Sequence, residues 1–170
     1  KWYKNLGSQV FGAAFISSNS VGANSVYAID IDGDGDMDAL STTGGSGGDD
    51  KIAWHENNGN QNFSEHELTF VPKNPESVYA VDVDGDGDLD VLSASSYDDK
   101  IAWYENDGTQ KFDGYLISDS ANGAKSVYAA DVDGDGDMDV LSASSIDDKI
   151  AWYENNGNQK FTERIITKNA

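Results

Sequence analysis

Residues 30–38 read DIDGDGDMD, and the same wording returns as DVDGDGDLD at 82–90 and DVDGDGDMD at 131–139. Aspartate takes every second place: Asp30, Asp32, Asp34, Asp36 and Asp38, then Asp82, Asp84, Asp86, Asp88 and Asp90, then Asp131, Asp133, Asp135, Asp137 and Asp139. Five like charges in nine residues repel one another unless a cation sits among them. The chain of 170 residues carries 31 acidic and 11 basic side chains, a net of −20. The three loops hold 15 of the acids, which leaves 16 acids against 11 bases, or −5, for everything else. Acidity this concentrated reads as a site, whereas dispersed acidity would read as a solvating surface.

The same composition narrows the function. Binding to nucleic acid or to an anionic membrane needs lysine and arginine gathered on one face, and this chain lacks them. No apolar run approaches the roughly 20 residues that span a bilayer, so membrane insertion is not expected. Cysteine is absent, which removes disulfides and thiolate metal sites. The chain opens at Lys1 without a signal peptide, and reads as a processed or cropped product.

Outward from the acidic stretches, the whole chain repeats. Copies aligned on SVYA start at Ser25, Ser77 and Ser126, spaced by 52 and 49 residues, and Trp2, Trp54, Trp103 and Trp152 keep the same rhythm. Each copy reads as four short strands, in the last one SVYAADV, MDVLSAS, KIAWYEN and KFTERIIT, with the acidic loop between the first two. Asn-Gly and Asp-Gly at 58–59, 107–108 and 156–157 predict the positive φ angles of a tight hairpin turn before the fourth strand. No segment has apolar residues at helical spacing over three turns. Four antiparallel strands per unit of about 40–50 residues is the pattern of a β-propeller blade. In Lys149–Asn155, Ile150 and Trp152 fall on one face and Ala151 and Tyr153 on the other. Two apolar faces suit a sheet packed between two neighbours. The expected fold is therefore all-β and propeller-like: a half blade at 1–24 made of third and fourth strands, then blades at 25–73, 74–122 and 123–170. About three and a half blades is fewer than the four to eight of a ring, so the open ends are expected to meet neighbouring blades of a longer chain or further copies of this one.

With Asp30 as position 1, side chains at 1, 3, 5 and 9 and the carbonyl at 7 could wrap one hard cation, the glycine at 6 allowing the turn. Position 12 is Ser41, Ser93 or Ser142, never the bidentate glutamate of an EF-hand, and strands flank the loop on both sides. Many flexible carboxylates favour calcium over magnesium, and zinc would want histidine or cysteine. Three Ca²⁺ would bring the net charge from −20 to −14. Their expected role is structural, fixing the turn between the first two strands of each blade.

The pattern D-x-D-x-D-G-x-x-D between two strands of a repeat resembles the FG-GAP/VCBS repeats, blades of integrin-α-like propellers and of many secreted bacterial proteins. The resemblance covers essentially the whole chain, although the Phe-Gly pair survives only as Phe11-Gly12. It implies a calcium-stabilised propeller outside the cell or on its surface. It does not fix function, since adhesins, lectins, toxin subunits and propellers attached to polysaccharide lyases share it.

Other residues carry less. Trp54, Trp103 and Trp152 with Tyr104 and Tyr153 read as inter-blade core before sugar-stacking platforms. Glu56, Glu105 and Glu154 read as polar strand-end groups, with ligand acceptors between blades as the alternative. His55 stands where the other copies have tyrosine, and no second catalytic group is tied to it or to His66 in sequence. Asn62-Phe63-Ser64 is a lone glycosylation sequon. The expected role is scaffolding or adhesion without catalysis, with extracellular glycans or proteins as partners. The alternatives are a lectin-like carbohydrate-binding propeller and the accessory propeller of a polysaccharide-degrading enzyme.

Overall fold

The structure, a computed structural model, describes residues 1–8, 10–18, 20–68 and 72–170; residues 9 and 19 of the expected half blade at 1–24 and residues 69–71 of the expected blade at 25–73 lie outside that set. The described residues form strands and turns with no helix. Two short strands, β1 (Trp2–Asn5) and β2 (Phe11–Ala14), pair as an antiparallel ribbon. Three four-stranded antiparallel sheets follow. The first contains β3 (Ala23–Ile29), β4 (Asp38–Thr43), β5 (Lys51–Asn57) and β6 (Phe63–Glu67). The second contains β7 (Pro75–Val81), β8 (Asp90–Ser95), β9 (Lys100–Asn106) and β10 (Phe112–Ser118). The third contains β11 (Ala124–Ala130), β12 (Asp139–Ser144), β13 (Lys149–Asn155) and β14 (Phe161–Thr167). Each is a meander in sequence order, with an acidic loop joining its first two strands. The tandem of propeller-like blades expected from the repeat is present.

The period-2 alternation of strands explains how blades pack. In β9, Ile101 and Trp103 point one way and Ala102 and Tyr104 the other, and all four are buried. Leu92, Ile101 and Trp103 join Val127, Val140 and Tyr153 of the third blade in one core. Leu40, Ile52 and Trp54 join Val78, Val91 and Tyr104 of the second blade in another. The tryptophan face of each blade therefore meets the tyrosine face of the next. Along the innermost strands, Tyr27, Tyr79 and Tyr128 form a ladder with ring centroids 5.1 and 4.7 Å apart.

The outer hairpins depart from the tight turn expected. Positive φ falls on Gly59, Gly108 and Gly157, but the second positive value belongs to Gln61, Gln110 and Gln159 rather than to the residue before glycine. The strands stop at Asn57, Asn106 and Asn155 and resume at Phe63, Phe112 and Phe161, so each connection is wider than a two-residue turn. The asparagine at the strand end holds it open: the Gln61 N–H donates to Asn57 Oδ1 at 3.1 Å, and the Gln110 N–H to Asn106 Oδ1 at 3.2 Å.

Candidate metal centres in the acidic loops

Each loop is wound by its own carboxylates. In the second, Asp82 accepts from the N–H of Gly85 (2.7 Å) and of Gly87 (3.0 Å), Asp84 from Asp86 (3.2 Å), and Asp86 from Asp88 (2.9 Å). The third loop repeats this with Asp131, Asp133 and Asp135 as acceptors and Asp137 as the last donor. In the first, Asp30 accepts from Gly35, Asp32 from Asp34, and Asp34 from Asp36. Glycines at positions 4 and 6 both take left-handed φ, +79° at Gly85 and +102° at Gly87. Glycine was expected to be needed at position 6 alone, whereas the G-D-G spacing serves both.

The ninth aspartate has a different task. Asp38 is buried, and its Oδ2 accepts from the Ile31 N–H (3.2 Å) and the Trp54 indole (3.0 Å), while Oδ1 accepts from the Asn57 N–H (2.7 Å). Asp90 and Asp139 repeat the two backbone bonds, to Val83 and Asn106 and to Val132 and Asn155. This carboxylate ties each loop to the third strand at the asparagine, and in the first blade at the tryptophan as well. Burial, opposed by those bonds, pushes Asp90 up to about 6. Burial also raises Asp32 and Asp84.

The seventh aspartate reaches sideways to the outer hairpin. A β-carbon on Gly108 would lie 2.6 Å from Asp88 Oδ2, and one on Gly157 would lie 2.6 Å from Asp137 Oδ2. Asp36 stands over Gly59 in the same way. Glycine is required there by its φ and by the carboxylate resting on it.

Three carboxylates per loop converge so that one oxygen from each lies within 4.8 Å of the others: Asp30, Asp32 and Asp38; Asp82, Asp84 and Asp86; Asp131, Asp133 and Asp139. Asp34 and Asp135 at position 5, Asp90 at position 9, and Asp36, Asp88 and Asp137 at position 7 stand outside these groups. All-oxygen donors at this spacing fit a hard cation, and the buried Asp30 Oδ1, which has no hydrogen-bond partner, is an acceptor left for one.

The position-12 serines serve the core. Ser93 and Ser142 bond the Tyr104 and Tyr153 hydroxyls at 3.2 Å, and Ser41 bonds His55 Nε2 at 2.8 Å. His55 is buried, its Nδ1 is 3.8 Å from Glu65 Oε2, and burial holds it below its ordinary value against the pull of that carboxylate. The fold thus brings to His55 two groups that are distant in sequence. His66 stacks on Trp54 with centroids 4.6 Å apart and bonds Glu56 at 2.8 Å. Tyr115 covers Trp103 at 5.1 Å, and Arg164, opposite Trp152, donates to Glu154 at 2.7 Å. The strand glutamates therefore hold the residue lying across from the tryptophan.

The chain matches the family model described as FG-GAP-like repeat over residues 1–41, 42–93 and 82–142, which together run from 1 to 142 of 170. A comparison with curated proteins gives no match.

Proposed function

Because the chain belongs to the FG-GAP-like repeat family, we propose that it is a calcium-stabilised, extracellular or cell-surface scaffolding and adhesion module without catalytic activity. The observation that carries this reading is the double attachment of each acidic loop. Asp82, Asp84 and Asp86 gather at its tip while Asp90, at its base, grips the third strand. Calcium, when bound, supplies positive charge among these carboxylates. Asp30, Asp32 and Asp38, Asp82, Asp84 and Asp86, and Asp131, Asp133 and Asp139 would hold it, and the Asx-type bonds of each loop keep their oxygens turned to one point. Modules of this type work at the near-millimolar calcium found outside cells. Neighbouring blades, further copies, or surface glycans and proteins are the partners that fit a stack with open faces.

Calorimetric titration with calcium tests the reading, together with melting and sedimentation in millimolar calcium and in chelator. The expected result is uptake at three loops and a higher Tm. Assembly in calcium that reverses in chelator supports the scaffold; a chain that takes up no calcium and melts identically in both buffers overturns it.

A second reading has its own observation. Trp103, Glu105, Tyr115, Asn158, Gln159 and Phe161 line an open groove of about 400 Å³ between the second and third blades. An aromatic floor with carboxylate and amide groups at its rim suits a neutral sugar ring. Retention on a panel of immobilised glycans, lost on Tyr115→Ala, would support a lectin.

A further inference from the structure

The three complete blades repeat one tryptophan–glutamate pair on the third strand and answer its charge differently. Glu56, Glu105 and Glu154 stand two places after Trp54, Trp103 and Trp152. On the fourth strand the tryptophans are paired in register with His66, Tyr115 and Arg164. In the first blade His66 lies on Trp54 and bonds Glu56 at 2.8 Å. In the third, Arg164 donates to Glu154 at 2.7 Å. Two blades of the three therefore meet the glutamate with a basic side chain of their own.

The second blade does not. Tyr115 takes that place, lies over Trp103 at 5.1 Å, and gives Glu105 only a neutral hydroxyl donor. Among the described residues no lysine, arginine or histidine pairs with Glu105; Lys111, whose charge reaches Tyr115, is held by Asp113 at 2.6 Å. Glu105 is half-buried and is repelled by Asp84 of the neighbouring acidic loop. In a chain of net charge −20, a carboxylate left in this way draws cations. The groove around it, walled by two complete blades, selects among them. Trp103, Tyr115 and Phe161 line it with Glu105, and Tyr115 is 46% exposed, so aromatic surface stays open beside the charge. Calcium asks for six to eight oxygen ligands, whereas Glu105 is the one carboxylate lining this groove. An organic ammonium asks for a counter-charge and aromatic faces, which is the set present.

We propose that the groove between the second and third blades binds an organic ammonium group, with Glu105 as its counter-charge and the rings of Tyr115 and Phe161 packed against it. The ligand supplies from outside the positive charge that His66 and Arg164 supply from within. A neutral sugar would stack on the same rings and leave Glu105 uncompensated, so this site goes beyond the lectin reading. It is also independent of the scaffold reading, because no loop carboxylate lines the groove.

Choline and glucosamine are the probes, titrated calorimetrically into the intact chain in millimolar calcium, so that the acidic loops do not compete for them. The controls are glucose and the uncharged isostere of choline in which carbon replaces nitrogen. One-to-one uptake of a cation is expected, with its neutral counterpart ~10-fold weaker or worse, the margin of a charge-assisted contact. Whichever cation binds more tightly identifies the source, a simple ammonium compound or an amino sugar. Glu105→Gln keeps an acceptor for the Tyr115 hydroxyl and should weaken the cations by the same ~10-fold or more. Tyr115→Arg gives the second blade the arrangement of the third; it should melt no lower than the parent and lose cation uptake. No uptake of either cation overturns the proposal. Equal affinity for charged and neutral probes, or for parent and Glu105→Gln, overturns it equally, as does full uptake by folded Tyr115→Arg. Glucose bound as tightly as glucosamine, and lost on Tyr115→Ala, would leave the lectin reading standing and remove this one. Failure of calcium uptake would remove the scaffold reading, and cation binding would then still support this site.

Discussion

The carboxylate of Asp88 rests on Gly108, a residue of the outer hairpin, at a separation that leaves no room for a β-carbon. The acidic loop and the hairpin turn, distant in sequence, are thereby one mechanical unit, and the relation recurs at Asp137 and Gly157.

Replacing Gly108 by alanine should therefore do two things at once. The φ of +75° disfavours any β-carbon, at about 1–3 kcal/mol for a residue held in that region. The new methyl also displaces Asp88 and with it the loop. The expected outcome is a lower Tm in chelator together with weaker calcium binding at one of three sites, read by melting and calorimetry. Loss of stability with calcium affinity untouched would show that loop and hairpin are not coupled.

Aspartates of one loop should separate by role. Asp90→Ala leaves the Val83 and Asn106 N–H groups buried without acceptors, at about 1–3 kcal/mol for each. That loss should appear even in chelator. Asp84→Asn keeps an acceptor for the Asp86 N–H and removes one of the crowded charges, so the variant should melt above the parent in chelator at pH 7 and gain less from calcium. Denaturant curves with and without calcium distinguish the two.

Stability in chelator should fall as pH rises. Burial lifts Asp90 from an ordinary 3.8 to about 6, and raises Asp32 and Asp84 as well. The folded chain then binds more protons than the unfolded one between those values, so stability is lost as pH climbs from about 4 through about 6. Melting in chelator should be higher at pH 5 than at pH 7. Calcium should reverse the order, because protons compete with it for the same carboxylates. Equal melting at the two pH values in chelator would contradict the prediction.

The third copy of a core leucine should matter less than the second. Leu92 is fully buried between blades, and Leu92→Ala should cost about 2–5 kcal/mol. Leu141, at the same position on the last blade, is half-buried on the open tryptophan face. Its replacement should cost less than half as much in dilute solution. Equal costs, measured over a range of concentrations, would mean that a partner covers that face.

Much of this was legible in the residues. The KIAWYEN strand begins and ends where its text does, at Lys149 and Asn155, because β-branched and aromatic residues alternate up to a polar turn. The meander, the opposed apolar faces and the placement of acidic loops between first and second strands also follow from local pattern. Contacts across the sheet do not. Nothing near Asp88 announces Gly108, and nothing near His55 announces Ser41 or Glu65, since strand pairing brings them together. The hairpins widened beyond the Asn-Gly expectation because Asn57 and Asn106 hold the following glutamine N–H groups, a choice made by side chains outside the turn pair. Sequence spacing also treats five alternating aspartates as equivalent, whereas burial singles out Asp38, Asp90 and Asp139 as anchors.

The meeting of tryptophan face with tyrosine face gives the molecule a heading, like a row of bricks each with a stud above and a socket below. Duplicating one repeat in the gene inserts a unit whose stud and socket already match both neighbours, so lengthening the protein demands no newly invented contact. Residues 77–112 and 126–161 are almost the same text, as recent copying of this kind would leave them. Array length is thus a trait that recombination can adjust while every junction stays as it was.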